Sequence, residues 1–196
     1  MPHQKPDRED EFFDEGEVNP DEKTMTFLEH LEELRWVLLK VLIAFLVGFV
    51  LVAAFLDNVA NLLRWPLDFG VRENPEVLRL VTTTPLAIFT VFMMVCFLGA
   101  VAFSMPFVLY FVGQFVAPAL TPKEKKLLVP GLVLAVLLFL AGMTFAFFLL
   151  VPSVIRVSVY FNALLGYEVI WSADKYYSML AWMCLGMGTA FQFPMV

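Results

Sequence analysis

Four long apolar stretches dominate the chain, and each contains at most one charged residue. The hydrocarbon core of a bilayer is about 30 Å thick, and a helix needs about 20 residues to cross it. The pattern therefore predicts membrane-spanning helices over residues 36–56, 86–112, 127–152 and 176–196. No alternation of apolar and polar residues predicts a β-strand. We predict an all-α fold, a polytopic bundle of transmembrane helices.

A short amphipathic segment, residues 26–35, leads directly into the first predicted span. Thr26 and Glu29 have the spacing of a capping box, which begins a helix. Apolar residues recur at helical spacing along one side, namely Phe27, Leu31 and Leu34. The segment is therefore expected to lie at the membrane surface. Glu32 and Arg35 have the spacing of a helical ion pair, so the charges here are explained either by the helix itself or by a ligand.

A second charged segment, between the second and third spans, has a similar pattern. Thr121 and Glu124 fit a capping box, with Pro122 at the first helical position. This arrangement is sufficient to begin the third span. The alternative is that the Glu124 carboxylate receives a cationic ligand, and the spacing does not separate the two roles.

The connections between the spans differ in length and charge. The loops predicted at 57–85 and 153–175 are long, whereas the loop 117–126 is short and carries Lys123, Lys125 and Lys126. Basic residues favour the cytoplasmic side when they lie near span ends in short loops. The N-terminus and the 117–126 loop are therefore predicted to be cytoplasmic.

Composition separates a charged N-terminal tail from an apolar body. The chain is 60% hydrophobic and 16% charged, whereas soluble domains are about a quarter charged. Residues 1–35 hold twelve acidic and four basic side chains, and the remainder holds seven and nine. Residues 1–25 are acidic and rich in proline, which predicts a disordered cytoplasmic tail. They lack the basic start and apolar stretch of a cleaved signal peptide.

Residue types that catalyse reactions or bind metals are few and scattered. Cys96 and Cys184 lie inside separate apolar stretches, and the two histidines, His3 and His30, stand apart. No zinc-type spacing and no Ser/His/Asp grouping is present. We expect no metal, no cofactor and no enzymatic activity. The basic residues are dispersed rather than clustered, so nucleic acid is not an expected partner.

One amide interrupts the last apolar stretch. Gln192 needs a hydrogen-bond partner inside the bilayer, so its side chain is expected to face the bundle interior. Hydrogen bonding between helices and contact with a substrate explain it equally well. The stretch has no closing loop, which we interpret as a fragment of a longer protein.

Six short motifs stand out because of their order along the chain. They are His-Leu-Glu-Glu-Leu-Arg at 30–35, Arg-Trp-Pro-Leu at 64–67, Met-Pro-Phe-Val-Leu-Tyr at 105–110, Phe-Val-Ala-Pro-Ala-Leu at 115–120 followed by Glu-Lys-Lys at 124–126, Val-Pro at 129–130, and Gly-Met-Thr-Phe-Ala at 142–146. Together they resemble the TatC family, the membrane receptor subunit of the twin-arginine protein translocase. The resemblance covers residues 25–196 and implies six spans, of which four are present here.

The resemblance implies a receptor that binds the consecutive arginines of signal peptides at the cytoplasmic face through two carboxylates. The matching positions are Glu33 and Glu124. A guanidinium can meet a carboxylate through two parallel hydrogen bonds, whereas an ammonium is a point charge, so such a site can favour Arg-Arg over Lys-Lys. Other matching positions expected to shape this surface are His30, Arg35, Phe115, Pro118 and Leu120. Structural or partner contacts are implied at Pro66 and Gln192.

The resemblance further implies a multi-pass protein of the plasma (inner) membrane that acts on folded cargo precursors. TatA- and TatB-type single-span subunits are the implied partners, and several copies of the chain are expected in the complex. Docking of the single-span subunits is expected to need spans beyond the four present. Gln192 and Ala87 occupy positions that are often acidic in the family.

Two alternatives to a receptor remain open from the sequence. A small polytopic transporter or channel subunit would place polar residues along a path through several spans. The polar residues available inside the spans are few and scattered, namely Ser104, Gln114, Thr144 and Gln192. A nonfunctional truncated copy is the other alternative.

Overall fold

The computed structural model describes residues 27–72 and 78–193, and most of these residues are helical. The helices are α1 (Phe27–Ala54), α2 (Leu56–Gly70), α3 (Ala87–Val116), α4 (Pro122–Phe145), α5 (Val151–Leu165) and α6 (Ala173–Ala190), and the strands are β1 (Leu78–Val81) and β2 (Val169–Ser172). A 3-10 turn, Ala117–Ala119, joins α3 to α4, and a π-helical turn, Ala146–Leu150, joins α4 to α5. The predicted polytopic helical fold is confirmed.

Three helical stretches in the described residues are long and apolar enough to cross a membrane. They are His30–Ala54, Ala87–Val116 and Lys123–Leu165. The fourth predicted span falls on α6, which is 18 residues long and carries Asp174 and Lys175 in its first turn. The end of that span (194–196), the predicted tail (1–25) and the capping residue predicted at Thr26 lie outside the described residues.

The first span is longer than its apolar stretch. Residues predicted as a separate amphipathic segment belong to the same continuous helix, α1, which begins at Phe27. The charged residues Glu32, Glu33 and Arg35 therefore lie on the first turns of a transmembrane helix. Their positions relative to the bundle are fixed by the packing of that helix.

The connection predicted as a loop over residues 57–85 contains a helix and a strand, which corrects that prediction. In α2, the residues Leu63, Pro66 and Leu67 have the i, i+3, i+4 spacing of one helical face, and all three are buried. With 15 residues, α2 is too short to be predicted as a membrane span. The helix packs on α5, where Gly70 lies close to Ile155.

The third span also differs from its prediction, because the helix does not end near residue 152. It continues through the π-helical turn and α5 to Leu165, so that Lys123–Leu165 is one helical run of 43 residues. At 1.5 Å per residue this run is about 65 Å long, about twice the hydrocarbon thickness. Pro152 has no N–H to donate, and the π-helical turn directly before it allows the helix to continue.

Two short strands that no sequence pattern predicted form a parallel pair within the otherwise helical fold. The register places Leu78 opposite Val169 and Val81 opposite Ser172. Each strand has four residues, which is too few for a clear sequence pattern. Their parallel pairing requires a long crossover, and here α3, α4 and α5 provide it.

The buried core lies where α2, α3, α5 and α6 meet. Tyr176 of α6 is almost fully buried there, and its hydroxyl donates a hydrogen bond of 2.8 Å to the carbonyl oxygen of Leu63 in α2. This bond fixes the start of α6 against the short helix that sequence reasoning missed.

Replacing Tyr176 by Phe is expected to lower the free energy of unfolding by about 1–2 kcal/mol, because a buried hydrogen bond is lost. Tyr177 supplies a matched control, since it is equally buried and its hydroxyl has no hydrogen-bond partner in the part of the chain that the structure describes. Denaturant unfolding in detergent micelles, followed by circular dichroism, measures both variants. Equal loss of stability in the two variants would contradict the role of the bond.

Candidate functional site

Three helix ends meet at one end of the bundle: the start of α1, the end of α3 and the start of α4. The ring of His30 stacks on the ring of Phe115, with centroids 4.3 Å apart and planes inclined by 14°. This stack joins α1 to α3, and the 3-10 turn carries the chain on to Glu124 in the first turn of α4. We refer to His30, Glu33, Phe115 and Glu124 as the carboxylate end of the bundle.

Glu33 lies one helical turn after His30 and is only partly hydrated. Its Oε2 atom is 4.0 Å from Nδ1 of His30, which is longer than a hydrogen bond. Although the side chain is 34% exposed, Oε2 is shielded from solvent and has no hydrogen-bond partner among the described residues. A shielded charged oxygen without a donor is energetically unfavourable, and a nearby cation relieves that cost.

Glu124 uses one carboxylate oxygen to begin α4. Its Oε2 atom accepts hydrogen bonds of 2.8 Å from both the backbone N–H and the hydroxyl of Thr121. The predicted capping box is therefore confirmed. The side chain is exposed, and Oε1 accepts no hydrogen bond from the described residues. The two roles that the sequence left open are thus compatible, because they use different oxygens.

The capping bonds also affect the ionisation of Glu124. The backbone N–H of Thr121, and then its hydroxyl, lower the pKa of the Glu124 carboxyl below its ordinary value. A group with a lowered pKa stabilises the folded protein when it is ionised, and that contribution is lost as the pH falls through the folded-state value. Glu124 is therefore negatively charged throughout the neutral range.

Replacing Thr121 by Val is expected to raise the pKa of Glu124 towards its ordinary value. The shift is partial, because the backbone N–H, the larger cause, remains. A carbon-13 NMR titration of glutamate carboxyls in the micelle-bound protein measures it. Thr90→Val serves as the control, since the Thr90 hydroxyl bonds only to Leu86 of its own helix. An unchanged midpoint in Thr121→Val would contradict the assignment.

The other residues predicted to shape this surface lie around it with different exposure. Arg35 and Pro118 are exposed, and Leu120 is partly buried in an extended conformation after the 3-10 turn. The predicted pair between Glu32 and Arg35 is not formed in the described part of the chain, where the ion pairs are His30–Glu33 and Asp174–Lys175. The Glu32–Arg35 ion pair that the spacing allowed therefore does not account for these two charges.

Pro66 and Gln192 lie away from the carboxylate end. Pro66 is buried inside α2, next to the core. The Nε2 atom of Gln192 donates a hydrogen bond of 2.8 Å to the carbonyl oxygen of Ala135 in α4. Ala135 lies 13 residues after the start of α4, about 20 Å along the helix axis. Gln192 lies two residues beyond α6, so this bond ties the end of that helix to α4 and supports the first of the two explanations for this amide.

A concavity of about 610 Å³ lies along α1 and is lined by Glu32, Arg35 and apolar side chains such as Leu31, Leu38 and Leu42. Glu33 and Glu124 do not line it. Most of the leucines that line it are exposed residues of α1. No group of three or more His, Cys, Asp or Glu side chains among the described residues is placed to bind a metal ion.

Sequence reasoning missed the contact between His30 and Phe115. Both residues were candidates through their motifs, but nothing in their spacing indicated that the rings stack. They are 85 positions apart, on α1 and α3. The motif order alone indicated that the two segments share a function.

Residues 29–196 match the family model described as Sec-independent protein translocase protein (TatC). Among curated proteins, the chain is 32% identical over 177 residues to a TatC protein of Synechocystis, covering 90% of this chain and 66% of the relative. It is 31% identical over 174 residues to TatC of Aquifex aeolicus, covering 88% of this chain and 70% of the relative. The chain thus spans about two thirds of the length of these relatives.

A solved structure has a similar fold. The crystal structure of a twin-arginine translocase receptor, TatC, is 31% identical in sequence and superimposes with a TM-score of 0.74, covering 85% of this chain and 72% of that chain. The family model's match, residues 29–196, includes the helices that form the carboxylate end.

Proposed function

Because the chain belongs to the TatC family of Sec-independent protein translocase proteins, we propose that its carboxylate end binds the consecutive arginines of signal peptides on folded cargo precursors. The family is a component of protein transport, and the prediction that the chain is not an enzyme is confirmed by that membership. The chain is a multi-pass membrane protein.

The observation that carries the proposal is the shielded, unpartnered Oε2 atom of Glu33 among the described residues. A fully hydrated carboxylate at a helix start is already stabilised by water, so a bound cation adds little. Glu33 differs because one oxygen is shielded and lacks a donor among the described residues, while the side chain as a whole remains within reach of a ligand. Partial removal of water strengthens the attraction between opposite charges.

Glu124 supports the proposal from the neighbouring helix. Its carboxylate is exposed and ionised, and its Oε1 atom is not used by the helix cap. Two negative side chains at one end of the bundle match a ligand with two adjacent positive charges. Hydrogen bonds between ionised partners are about twice as strong as those between neutral groups.

The proposed topology follows from the same end of the bundle. Lys123, Lys125 and Lys126 surround Glu124 and favour a cytoplasmic location for this end, which also places the N-terminus in the cytoplasm. The protein then lies in the plasma (inner) membrane, where it nucleates a translocation complex with TatA- and TatB-type subunits and further copies of itself. The opposite end, with α2, β1, β2 and α5, faces the outer side.

The test is crosslinking of a signal peptide to the chain in lipid nanodiscs. A photo-reactive group placed next to the Arg-Arg pair is expected to react with residues near Glu33 and Glu124, and a Lys-Lys peptide is expected to react less. Equal reaction of the two peptides, in protein shown to be helical and inserted, would reject the proposal.

A further inference from the structure

Neither carboxylate offers the two oxygens that a fork-shaped hydrogen-bonded pair with arginine requires. In Glu33, Oε2 is shielded beside His30. In Glu124, Oε2 already accepts two hydrogen bonds from Thr121. Each carboxylate therefore presents one oxygen, and a single oxygen attracts an ammonium as readily as a guanidinium. A preference for arginine needs another feature of the surface.

The ring of His30 supplies a flat surface beside Glu33. One face of the ring lies against Phe115 at 4.3 Å, with nearly parallel planes. The side chain of His30 is nevertheless 43% exposed, so the exposure belongs to the opposite face and the ring edge. The Nδ1 edge is directed at Glu33, which makes the open face and the carboxylate neighbours.

Arginine and lysine interact differently with such a surface. A guanidinium is planar and weakly hydrated, and it stacks on aromatic rings while its N–H groups point outward in the plane. A guanidinium that lies on the open face of His30 can direct an N–H group towards the carboxylate at the edge of the ring. An ammonium forms the charge contact but has no plane to stack.

We propose that the open face of His30, supported from behind by Phe115, receives one arginine side chain of the signal peptide and sets the preference for arginine over lysine. The inference rests on the proposed receptor function. The two carboxylates then attract any cationic side chain, and His30 distinguishes arginine from lysine.

The experiment measures the affinity of fluorescent Arg-Arg and Lys-Lys signal peptides for the chain in nanodiscs by fluorescence anisotropy. His30→Leu keeps a side chain of similar size without a flat face, and it is expected to reduce the Arg-Arg preference by about three- to thirtyfold. His30→Phe restores a flat face and is expected to retain the preference. Peptides with Arg-Lys or Lys-Arg in place of Arg-Arg then identify which of the two arginines lies on the His30 ring.

Phe107→Leu is the matched control, because Phe107 is an exposed ring two turns earlier on α3 that contacts Phe103 in a tilted arrangement. It is expected to leave the preference unchanged. An undiminished preference in His30→Leu would overturn the inference, and so would its loss in His30→Phe, since an edge nitrogen would then be responsible. If the unsubstituted chain shows no preference, the proposed receptor function itself fails.

Discussion

Replacing Glu33 by Gln lowers the affinity of the chain for an Arg-Arg signal peptide by about tenfold to a hundredfold, as does replacing Glu124 by Gln. This range corresponds to the loss of a charged hydrogen bond, about 1.5–3 kcal/mol. Glutamine is chosen because its amide oxygen can still accept the bonds of Thr121, so the cap of α4 is retained while the charge is removed. Fluorescence anisotropy in nanodiscs measures the affinities.

Glu32→Gln is the matched control for this prediction. It changes the net charge by the same amount on an adjacent residue, but Glu32 is exposed and lines the concavity along α1, which Glu33 does not. The affinity of the Glu32→Gln variant for the Arg-Arg peptide is expected to equal that of the unsubstituted chain. If all three variants lose affinity equally, the carboxylates act only through net charge and the assignment of a site is wrong.

Replacing Gly142 by Ala lowers the free energy of unfolding by about 1–3 kcal/mol, through overpacking between α4 and α6. A Cβ atom at this position would lie 2.6 Å from the carbonyl oxygen of Met187 and 3.0 Å from Cα of Gly188. Both are backbone atoms, so no side-chain rotation relieves the contact and α6 has to move. Close approach of small residues is a common basis of helix association in membranes.

Gly186→Ala provides the comparison, because a Cβ atom there meets no atom within 4 Å. Alanine restricts the unfolded chain more than glycine does, so this variant is expected to be unchanged or stabilised by up to about 1 kcal/mol. Denaturant unfolding in micelles gives both values. A Gly142→Ala protein as stable as Gly186→Ala would show that the two helices are not tightly packed.

The movement of α6 in Gly142→Ala has a second consequence. Gln192, two residues beyond the end of α6, donates its hydrogen bond to Ala135, which lies two helical turns before Gly142 in α4. A displacement of α6 lengthens that bond, so Gln192→Leu is expected to cost less stability in the Gly142→Ala background than in the unsubstituted chain. Such non-additivity is the usual result for residues that share one helix contact.

Much of the carboxylate end could be read from the sequence, but its geometry could not. The capping box of Thr121 and Glu124 was predictable because it depends on two residues three positions apart. The placement of Glu33 near the start of the first span followed from the charge pattern. The shielding of its Oε2 atom and the stack of His30 on Phe115 were not predictable, because they depend on how side chains from different parts of the fold pack together.

The sequence by itself determined the class of the protein, a bundle of apolar helices in a membrane. Long uncharged stretches of about 20 residues have few alternatives to a helix in a bilayer, because every backbone N–H and carbonyl group must be paired within the segment. This is a local property of the chain, so it is visible without knowledge of the packing. The error in the third span arose because a proline usually ends a helix, and here a π-helical turn precedes it.

Only the tertiary structure decided which distant residues meet. The strands β1 and β2, the bond from Tyr176 to Leu63 and the bond from Gln192 to Ala135 join positions that are far apart along the chain. Each contact exists because helices of fixed length cross at particular points, and a shift of one residue would direct those side chains elsewhere. Local patterns of hydrophobic and polar residues do not contain that information, since they record which face of a helix is apolar and not which neighbour covers it.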